Sequence, residues 1–232
     1  DHRDLHSFPT RRSSDLSEFS EDALVGELGS RWEILLTYTK LYPTCRHCHA
    51  AIDLAREARS LLGCTEKDAE SIFVKTYTLG IVEVGRIALP ETFEEAMFSM
   101  PFSLALALRK GNVTLQDYTP ELLRDEELRR AAALVRIEAD ERMNALYPEE
   151  RGAWLRLALK DGRVFEKGIP VAKGEPENPV SDGDLVEKLT AMLAPYYPAG
   201  FVEGLWKLCV ETTPEKVEYR HILDHFGRFR TS

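Results

Sequence analysis

The segment 40–53, KLYPTCRHCHAAID, concentrates the side chains that are most able to do chemistry. Two of the four cysteines, Cys45 and Cys48, and two of the six histidines, His47 and His49, fall within five consecutive residues. Thiolates and neutral imidazoles bind zinc, and a histidine also exchanges protons near neutral pH. The spacing therefore raises three hypotheses: a zinc site, a redox-active thiol pair, or a helix end that presents imidazoles to a substrate.

A structural zinc site requires four ligands, often two from each of two closely spaced pairs. Cys45 and Cys48 form one pair, but Cys64 stands alone and Cys209 is remote in sequence. In a helix, two histidines that are two positions apart point about 200° away from each other and cannot hold one ion together. We assign no metal ligand, and a zinc- or thiol-binding module without catalysis remains the alternative hypothesis.

A Cys-x-x-Cys pair does redox chemistry when it follows a strand and opens a helix in a thioredoxin-like unit. The preceding residues, RWEILLTYTKLYP, have no period-two alternation and predict no such strand. The redox hypothesis therefore has less support than the zinc hypothesis.

The third hypothesis places a helix N-terminus here, since Pro43 precedes the turn and Thr44 is a capping residue type. The backbone N–H groups and the positive end of the helix dipole bind carboxylates there and keep a histidine neutral. The planar guanidinium of Arg46 is suited to donate two hydrogen bonds to one carboxylate, and Lys40 places a positive charge on a flexible side chain. The competing interpretation is that a histidine packs in the core and the cysteines are small buried apolar residues.

The composition limits the classes of partner. With 30 Lys and Arg against 39 Asp and Glu, the net charge is −9, which gives a nucleic-acid partner no electrostatic support. No apolar run approaches the roughly 20 residues of a membrane span, and no N-terminal stretch resembles a secretion signal. Four cysteines are few for 232 residues and fit a reducing compartment, so we predict a cytoplasmic protein.

Residues 1–16, DHRDLHSFPTRRSSDL, are expected to be foreign to the protein. They show no helical or strand period, and all of them match one reading frame of a common sequencing-adapter oligonucleotide. We therefore exclude His2 and His6 from the candidate site residues. The authentic protein is expected to continue upstream, so that this chain is a C-terminal fragment.

The helix that must position the histidines repeats Ile52, Ala55 and Leu62 on one face and ends at Gly63. Residues 71–85, SIFVKTYTLGIVEVG, are β-branched and aromatic and predict one or two strands. The apolar stretch 91–111 predicts a helix that Pro101 kinks or splits.

Residues 134–140 and 153–168 alternate between apolar and polar, and Asp161-Gly162 predicts a hairpin turn within the second stretch. A linker at 170–184 then leads to a capping box, Ser181 with Asp184, and to further helices. The order of helices, mixed elements and helices predicts an α+β fold, with an inserted α+β domain that carries a small mixed sheet. We place that domain at 42–179, and pieces of an all-helical domain at 17–41 and 180–232.

Four stretches resemble the MmgE/PrpD family and occur in order at compatible spacing. They are KLYPTCRHCHAAIDLA, similar to a Lys-x-[Phe/Tyr]-Pro-x-Cys-x-x-x-His motif, its lead-in LGSRWEILLTYTK, the block AMFSMPFSLALALRKGNVTLQDYTPELLRD, and the linker GEPENPVSDGDLVEKL. Together they cover most of residues 26–195.

The family includes 2-methylcitrate dehydratases, cis-aconitate decarboxylases and iminodisuccinate epimerases. The resemblance implies a lyase or isomerase that needs no metal or other cofactor and acts on a small polycarboxylate. A hydro-lyase similar to 2-methylcitrate dehydratase, which removes a proton next to a carboxylate, is the preferred interpretation. The resemblance also implies a homodimer, a site between the two domains and further site residues upstream, so the chain alone is expected to be inactive.

The resemblance assigns roles to individual positions. His49 stands where decarboxylase-like members have an active-site histidine, and His47 stands where a histidine of the methylcitrate dehydratases falls when the segments are aligned at Pro43. We predict both as catalytic, with His49 slightly ahead, and Lys40 and Arg46 as substrate-binding. Phe102 replaces a tyrosine that is catalytic in some members, and phenylalanine cannot exchange a proton, which leaves open a family member that has lost catalysis.

Overall fold

The computed structural model describes residues 25–211 and 219–228, so the predicted foreign segment 1–16 lies outside the described residues. The chain divides into two compact units, residues 1–37 and 38–232. The described part of the first unit contains a 3-10 turn, Glu33–Leu36, whose apolar side chains are exposed: Ile34 by 72% and Leu35 by 74%.

The helix after the cysteine–histidine segment begins later than predicted. A 3-10 turn, Arg46–Cys48, comes first, and helix α1 then spans His49–Leu62. Cys45 has a ψ of 141°, outside the helical region, so a helix that starts at Thr44 cannot run through it. Its N–H donates to the Met97 carbonyl at 2.9 Å. The Thr44 hydroxyl caps nothing and is buried without a hydrogen-bond partner.

The rest of α1 follows the prediction. Ile52 and Ala55 are buried, and Leu62 lies at the edge of the core. The helix ends at Gly63, whose φ of 60° is in the left-handed region that favours glycine. The apolar face of α1 therefore fixes which side of the helix meets the sheet.

The sheet has four strands, β1 Ala69–Thr76, β2 Val135–Ala139, β3 Ala153–Leu159 and β4 Val164–Ile169. Their order is β2-β1-β3-β4, with β1 and β2 parallel and the other two pairs antiparallel. The predicted hairpin is confirmed: β3 and β4 are joined through Gly162 at a φ of 90°. Helices with a small mixed sheet make the fold α+β, as predicted.

Of the one or two strands predicted within 71–85, β1 is present, and helix α2 occupies Thr78–Val84 where a second strand would lie. The register pairs Thr76, the last residue of β1, with Ala139, the last residue of β2, so neither strand continues to pair with the other. The side-chain oxygen of Asn144 accepts the Thr78 N–H at 2.7 Å and satisfies a backbone donor at the start of α2. This tertiary contact outweighs the β propensity of the valines and isoleucine.

Pro101 splits the apolar stretch in two, as predicted. The pieces are α3, Phe93–Met97, and α4, Met100–Lys110. The Ser99 hydroxyl caps α4 by accepting the Phe102 N–H at 3.1 Å. Short helices follow at α5, Pro120–Arg124, α6, Glu126–Ala133, and α7, Glu141–Leu146.

The main core lies where α1 packs against α4 and against β3 and β4. Alternate residues of β3 are buried on this side, as the strand period requires. The fully buried large side chains of the main core include Ile52, Leu54, Ile72, Met100, Phe102, Leu104, Leu106, Leu108, Leu128 and Leu155. This core holds the start of α1 in place.

The C-terminal described elements are α8, Asp182–Leu193, α9, Phe201–Trp206, a π-helical turn, Lys207–Glu211, and α10, Tyr219–Arg228. They form a second small core around Phe201. Within residues 25–211 and 219–228, none of the helices has both the length and the apolarity that a bilayer span requires.

The capping box of α8 gives a direct test of the local structure. The Ser181 hydroxyl accepts the Asp184 N–H at 3.2 Å, and the Asp184 carboxylate accepts the Ser181 N–H at 2.7 Å. We expect Ser181→Ala to lower the free energy of unfolding by about 1 kcal/mol in urea denaturation. Ser60→Ala, on the exposed side of α1, is the matched control, and an equal loss in both variants would contradict the capping role.

Candidate functional site

The predicted catalytic residue His47 is half-buried and pairs with a tyrosine. Its Nδ1 is hydrogen-bonded to the Tyr77 hydroxyl, and the two rings meet edge to face with centroids 5.4 Å apart. Tyr77 lies between the end of β1, an interior strand of the sheet, and the start of α2, so these two elements position it. A titratable pair that lies between rigid elements has the geometry that acid–base chemistry needs.

Both members of this pair are held neutral. Burial lowers the pKa of His47, the charges of Arg151 and Lys40 lower it further, and Glu83 opposes them. Burial also raises the pKa of Tyr77, although the Arg151 charge works against this. A neutral imidazole next to a protonated phenol is able to accept a proton at pH 7.

Aromatic and cationic side chains complete the surroundings. Tyr147 stacks on Tyr77 with ring centroids 4.8 Å apart, and the Arg151 guanidinium lies 5.8 Å from the Tyr38 ring. The Arg151 Nε is buried without a hydrogen-bond partner. We call His47, Tyr77, Tyr147 and Arg151 the His47 site.

The other predicted catalytic residue, His49, is fully buried at the first position of α1. The Arg46 Nη1 lies 2.9 Å from its Nδ1, and the Tyr42 ring lies 5.0 Å away between centroids. Burial and then the Arg46 charge lower the pKa of His49 to about 3. Its Nε2 makes no hydrogen bond of normal geometry. The nearby Thr44 and Tyr42 carbonyls raise the pKa of His49 and so offset part of this lowering.

The predicted substrate-binding residue Arg46 is also buried, and each of its five N–H groups has an internal acceptor. Nε and Nη2 lie 3.0 and 2.9 Å from the Glu175 carboxylate. Nη1 contacts His49 and the Lys173 carbonyl, and Nη2 also reaches the Ala172 carbonyl. No N–H of Arg46 remains for a substrate, which argues against the predicted carboxylate contact and favours a role in positioning His49.

The second predicted substrate-binding residue, Lys40, is exposed, and its Nζ donates to the Thr44 carbonyl at 3.2 Å. It lines a cavity of about 240 Å³ that neither histidine lines. Its charge nevertheless lowers the pKa of both His47 and His49. Lys40 therefore remains a candidate for holding an anion close to the histidines.

The two cysteines of the segment lack the features of a metal site. Cys48 is fully buried, and burial raises the pKa of its thiol, while Cys45 is half-buried. Over residues 25–211 and 219–228, no three His, Cys, Asp or Glu side chains are grouped to hold a metal ion. The buried Cys48 agrees with a packing role.

Sequence reasoning missed Tyr77, Arg151 and Glu175. Tyr77 lies in the stretch that was predicted as a strand, so its place at a strand end was not visible. Arg151 lies in the short connection between α7 and β3, and Glu175 lies in the loop between β4 and α8. A lone arginine or glutamate in a loop carries no local signal of a distant partner. Phe102 is fully buried in the core, so the ring that replaces the family tyrosine only packs here.

The part of the chain that carries these residues is similar in sequence to known proteins. Residues 42–210 match the family model described as the MmgE/PrpD C-terminal domain. The 2-methylcitrate dehydratase, mitochondrial, of Yarrowia lipolytica (strain CLIB 122 / E 150) is 26% identical over 168 residues, which are 68% of this chain and 31% of that protein. The chain spans less than a third of the length of this relative. Because this family model covers more than half of the chain, the chain belongs to the MmgE/PrpD family.

Proposed function

We propose that the chain is the C-terminal part of a hydro-lyase similar to 2-methylcitrate dehydratase that acts on a small polycarboxylate. The family match and the name of the relative support a dehydratase-type lyase. Because the chain spans 31% of that relative, we propose that the rest of the enzyme completes the site and that the chain alone is inactive. The parent protein would be a cytoplasmic homodimer.

The single observation that carries this proposal is the hydrogen bond between His47 and Tyr77 in a cationic environment. Dehydration next to a carboxylate removes a carbon-bound proton, which requires a base, and forms a C=C bond as the neighbouring hydroxyl takes up a proton and leaves as water. When the Nδ1–H of His47 donates to the Tyr77 oxygen, Nε2 presents a lone pair to a substrate C–H. We therefore place His47 ahead of His49 as the base, which reverses the order predicted from the family resemblance.

The substrate charge requires cations near that base. A polycarboxylate gains negative charge on its carboxylate as the proton leaves, and positive groups that are already in place stabilise this charge. The charges of Lys40 and Arg151 both lower the pKa of His47, which supports a role for these two cations. We propose that they hold substrate carboxylates and that the site uses no metal.

The test is an assay of the full-length protein that carries this domain. We expect it to dehydrate 2-methylcitrate faster than it decarboxylates cis-aconitate or epimerises an amino- or iminodicarboxylate. We also expect a chelator to leave the rate unchanged and the 232-residue chain alone to show no turnover. A full-length protein without activity on any of these acids would contradict the proposal. Faster turnover of an acid other than 2-methylcitrate would change only the proposed substrate.

A further inference from the structure

His49 is held from one side by a buried arginine, and this contact determines where its proton lies. The Arg46 Nη1 is 2.9 Å from the His49 Nδ1. A guanidinium only donates hydrogen bonds, so Nδ1 must be the acceptor. A ring protonated at Nδ1 would place two N–H groups against each other at that distance. The neutral ring therefore carries its proton on Nε2.

The arginine is itself fixed by the segment 172–175. One oxygen of Glu175 accepts from both Nε and Nη2 of Arg46, and two carbonyls of the same segment accept from the remaining N–H groups. The Glu175 side chain is 13% exposed and the Arg46 side chain 5%, so little water competes for these contacts. The plane of the guanidinium is thus set by the loop, and Nη1 is aimed at His49.

Hydrogen bonds fix the loop 172–175 to two other parts of the fold. The Asp53 carboxylate accepts the Lys173 N–H at 2.8 Å, which joins the loop to α1. The Thr39 N–H donates to the Gly174 carbonyl at 2.8 Å, and Gly174 has a φ of 99°. A side chain at Gly174 would collide with the Thr39 carbonyl, so only glycine lets the loop approach this closely.

We propose that Arg46, held by Glu175, is a positioning residue that fixes His49 as the neutral tautomer protonated at Nε2, so that His49 donates a hydrogen bond and does not act as the base. The part that concerns the reaction rests on the proposed function. The pKa of His49, which burial and the Arg46 charge lower, agrees with a ring that stays neutral.

This tautomer defines the ligand chemistry that His49 accepts. The Nε2 atom is buried and makes no hydrogen bond of normal geometry, although the Thr44 and Tyr42 carbonyls lie near the ring. An N–H donor in that state binds an acceptor oxygen, such as a carboxylate or the enolate-like oxygen that forms when a proton leaves carbon. His47 would remove the proton and His49 would stabilise the resulting charge, which gives the two histidines separate tasks.

The test reads the tautomer directly by ¹⁵N NMR of the histidine-labelled 232-residue chain at pH 7. Long-range ¹H–¹⁵N correlations distinguish a protonated ring nitrogen from an unprotonated one. We expect His49 to show a protonated Nε2 and an unprotonated Nδ1. In Arg46→Met and in Glu175→Ala we expect this pattern to be lost to a mixture of tautomers. Glu175→Gln keeps an acceptor oxygen and should retain the wild-type pattern.

Arg59→Met is the matched control, because Arg59 is a half-buried arginine of the same helix that donates to the Cys64 and Leu108 carbonyls. It should reduce stability while the His49 signals keep the wild-type pattern. If Arg46→Met does not fold, Glu175→Ala decides the question. A wild-type His49 protonated at Nδ1, or an unchanged pattern in the folded variants, overturns the proposal. The readout is independent of turnover, so a failed lyase assay with the expected tautomer would contradict only the proposed function.

Discussion

We expect His47→Ala to lower kcat by about 10²- to 10⁴-fold in the full-length protein, the usual contribution of a general base. His47 is the half-buried member of the histidine pair, and its Nδ1 is engaged by Tyr77, so Nε2 is the nitrogen that we propose as the base. Tyr77→Phe should cause a smaller loss, because it removes the hydrogen bond that orients the ring but leaves the imidazole. Steady-state kinetics with 2-methylcitrate measure both effects.

The control for this prediction is His221→Ala, which removes an exposed histidine of α10 and should leave kcat unchanged. Circular dichroism and the unfolding midpoint must show that His47→Ala is folded. A folded His47→Ala enzyme that retains its wild-type kcat is incompatible with His47 as the base.

The second large effect is a loss of stability in mild acid that depends on His49. Burial and then the Arg46 charge lower the pKa of His49 from 6.5 to about 3 in the folded chain. The unfolded chain takes up a proton on this residue as the pH falls through 6.5, while the folded chain does not. Its contribution to stability is therefore complete above pH 6.5 and is lost as the pH falls from there to about 3.

The size of this effect follows from proton linkage. The free energy of unfolding should fall by about 1.4 kcal/mol per pH unit below 6.5, or by about 2 kcal/mol at pH 5. His47, whose pKa is also lowered by burial, changes stability in the same direction. Urea denaturation between pH 7.5 and 5 measures the slope above the range in which ordinary carboxylates titrate.

His49→Gln should have a shallower slope over this range, whatever its stability at pH 7.5. His221→Gln should keep the wild-type slope, because it alters an exposed residue. Equal slopes for wild type and His49→Gln would mean that the buried ring is not held neutral, and the account of the Arg46 contact would then fail.

Much of the fold was predictable because its signals are local. The alternation in β3, the Asp161-Gly162 turn, the Gly63 stop and the Ser181 capping box each depend on neighbouring residues, and all are present. The helix α2 was not predictable, because its start uses Asn144, far away in sequence, and β1 has no partner strand beyond Thr76. The late start of α1 was not predictable either, because no local pattern indicates the extended backbone of Cys45 or its hydrogen bond to Met97.

The candidate site was predictable in part. The spacing of His47 and His49 drew attention to the right segment, but it did not show which of them is buried. Arg46 has the chemistry of a carboxylate binder, and in the fold the carboxylate it binds belongs to Glu175, 129 positions along the chain. Long-range partners of this kind decide whether a charged residue serves the fold or a substrate, and no local pattern encodes them.

The central claim is that His47 exchanges the proton next to a substrate carboxylate. The most direct measurement is proton NMR of 2-methylcitrate and its dehydration product in D₂O with the full-length enzyme, comparing wild type, His47→Ala and His49→Gln. We predict that deuterium enters the carbon next to the carboxylate with wild type and with His49→Gln but not with His47→Ala. Deuterium incorporation by His47→Ala at the wild-type rate would contradict the account.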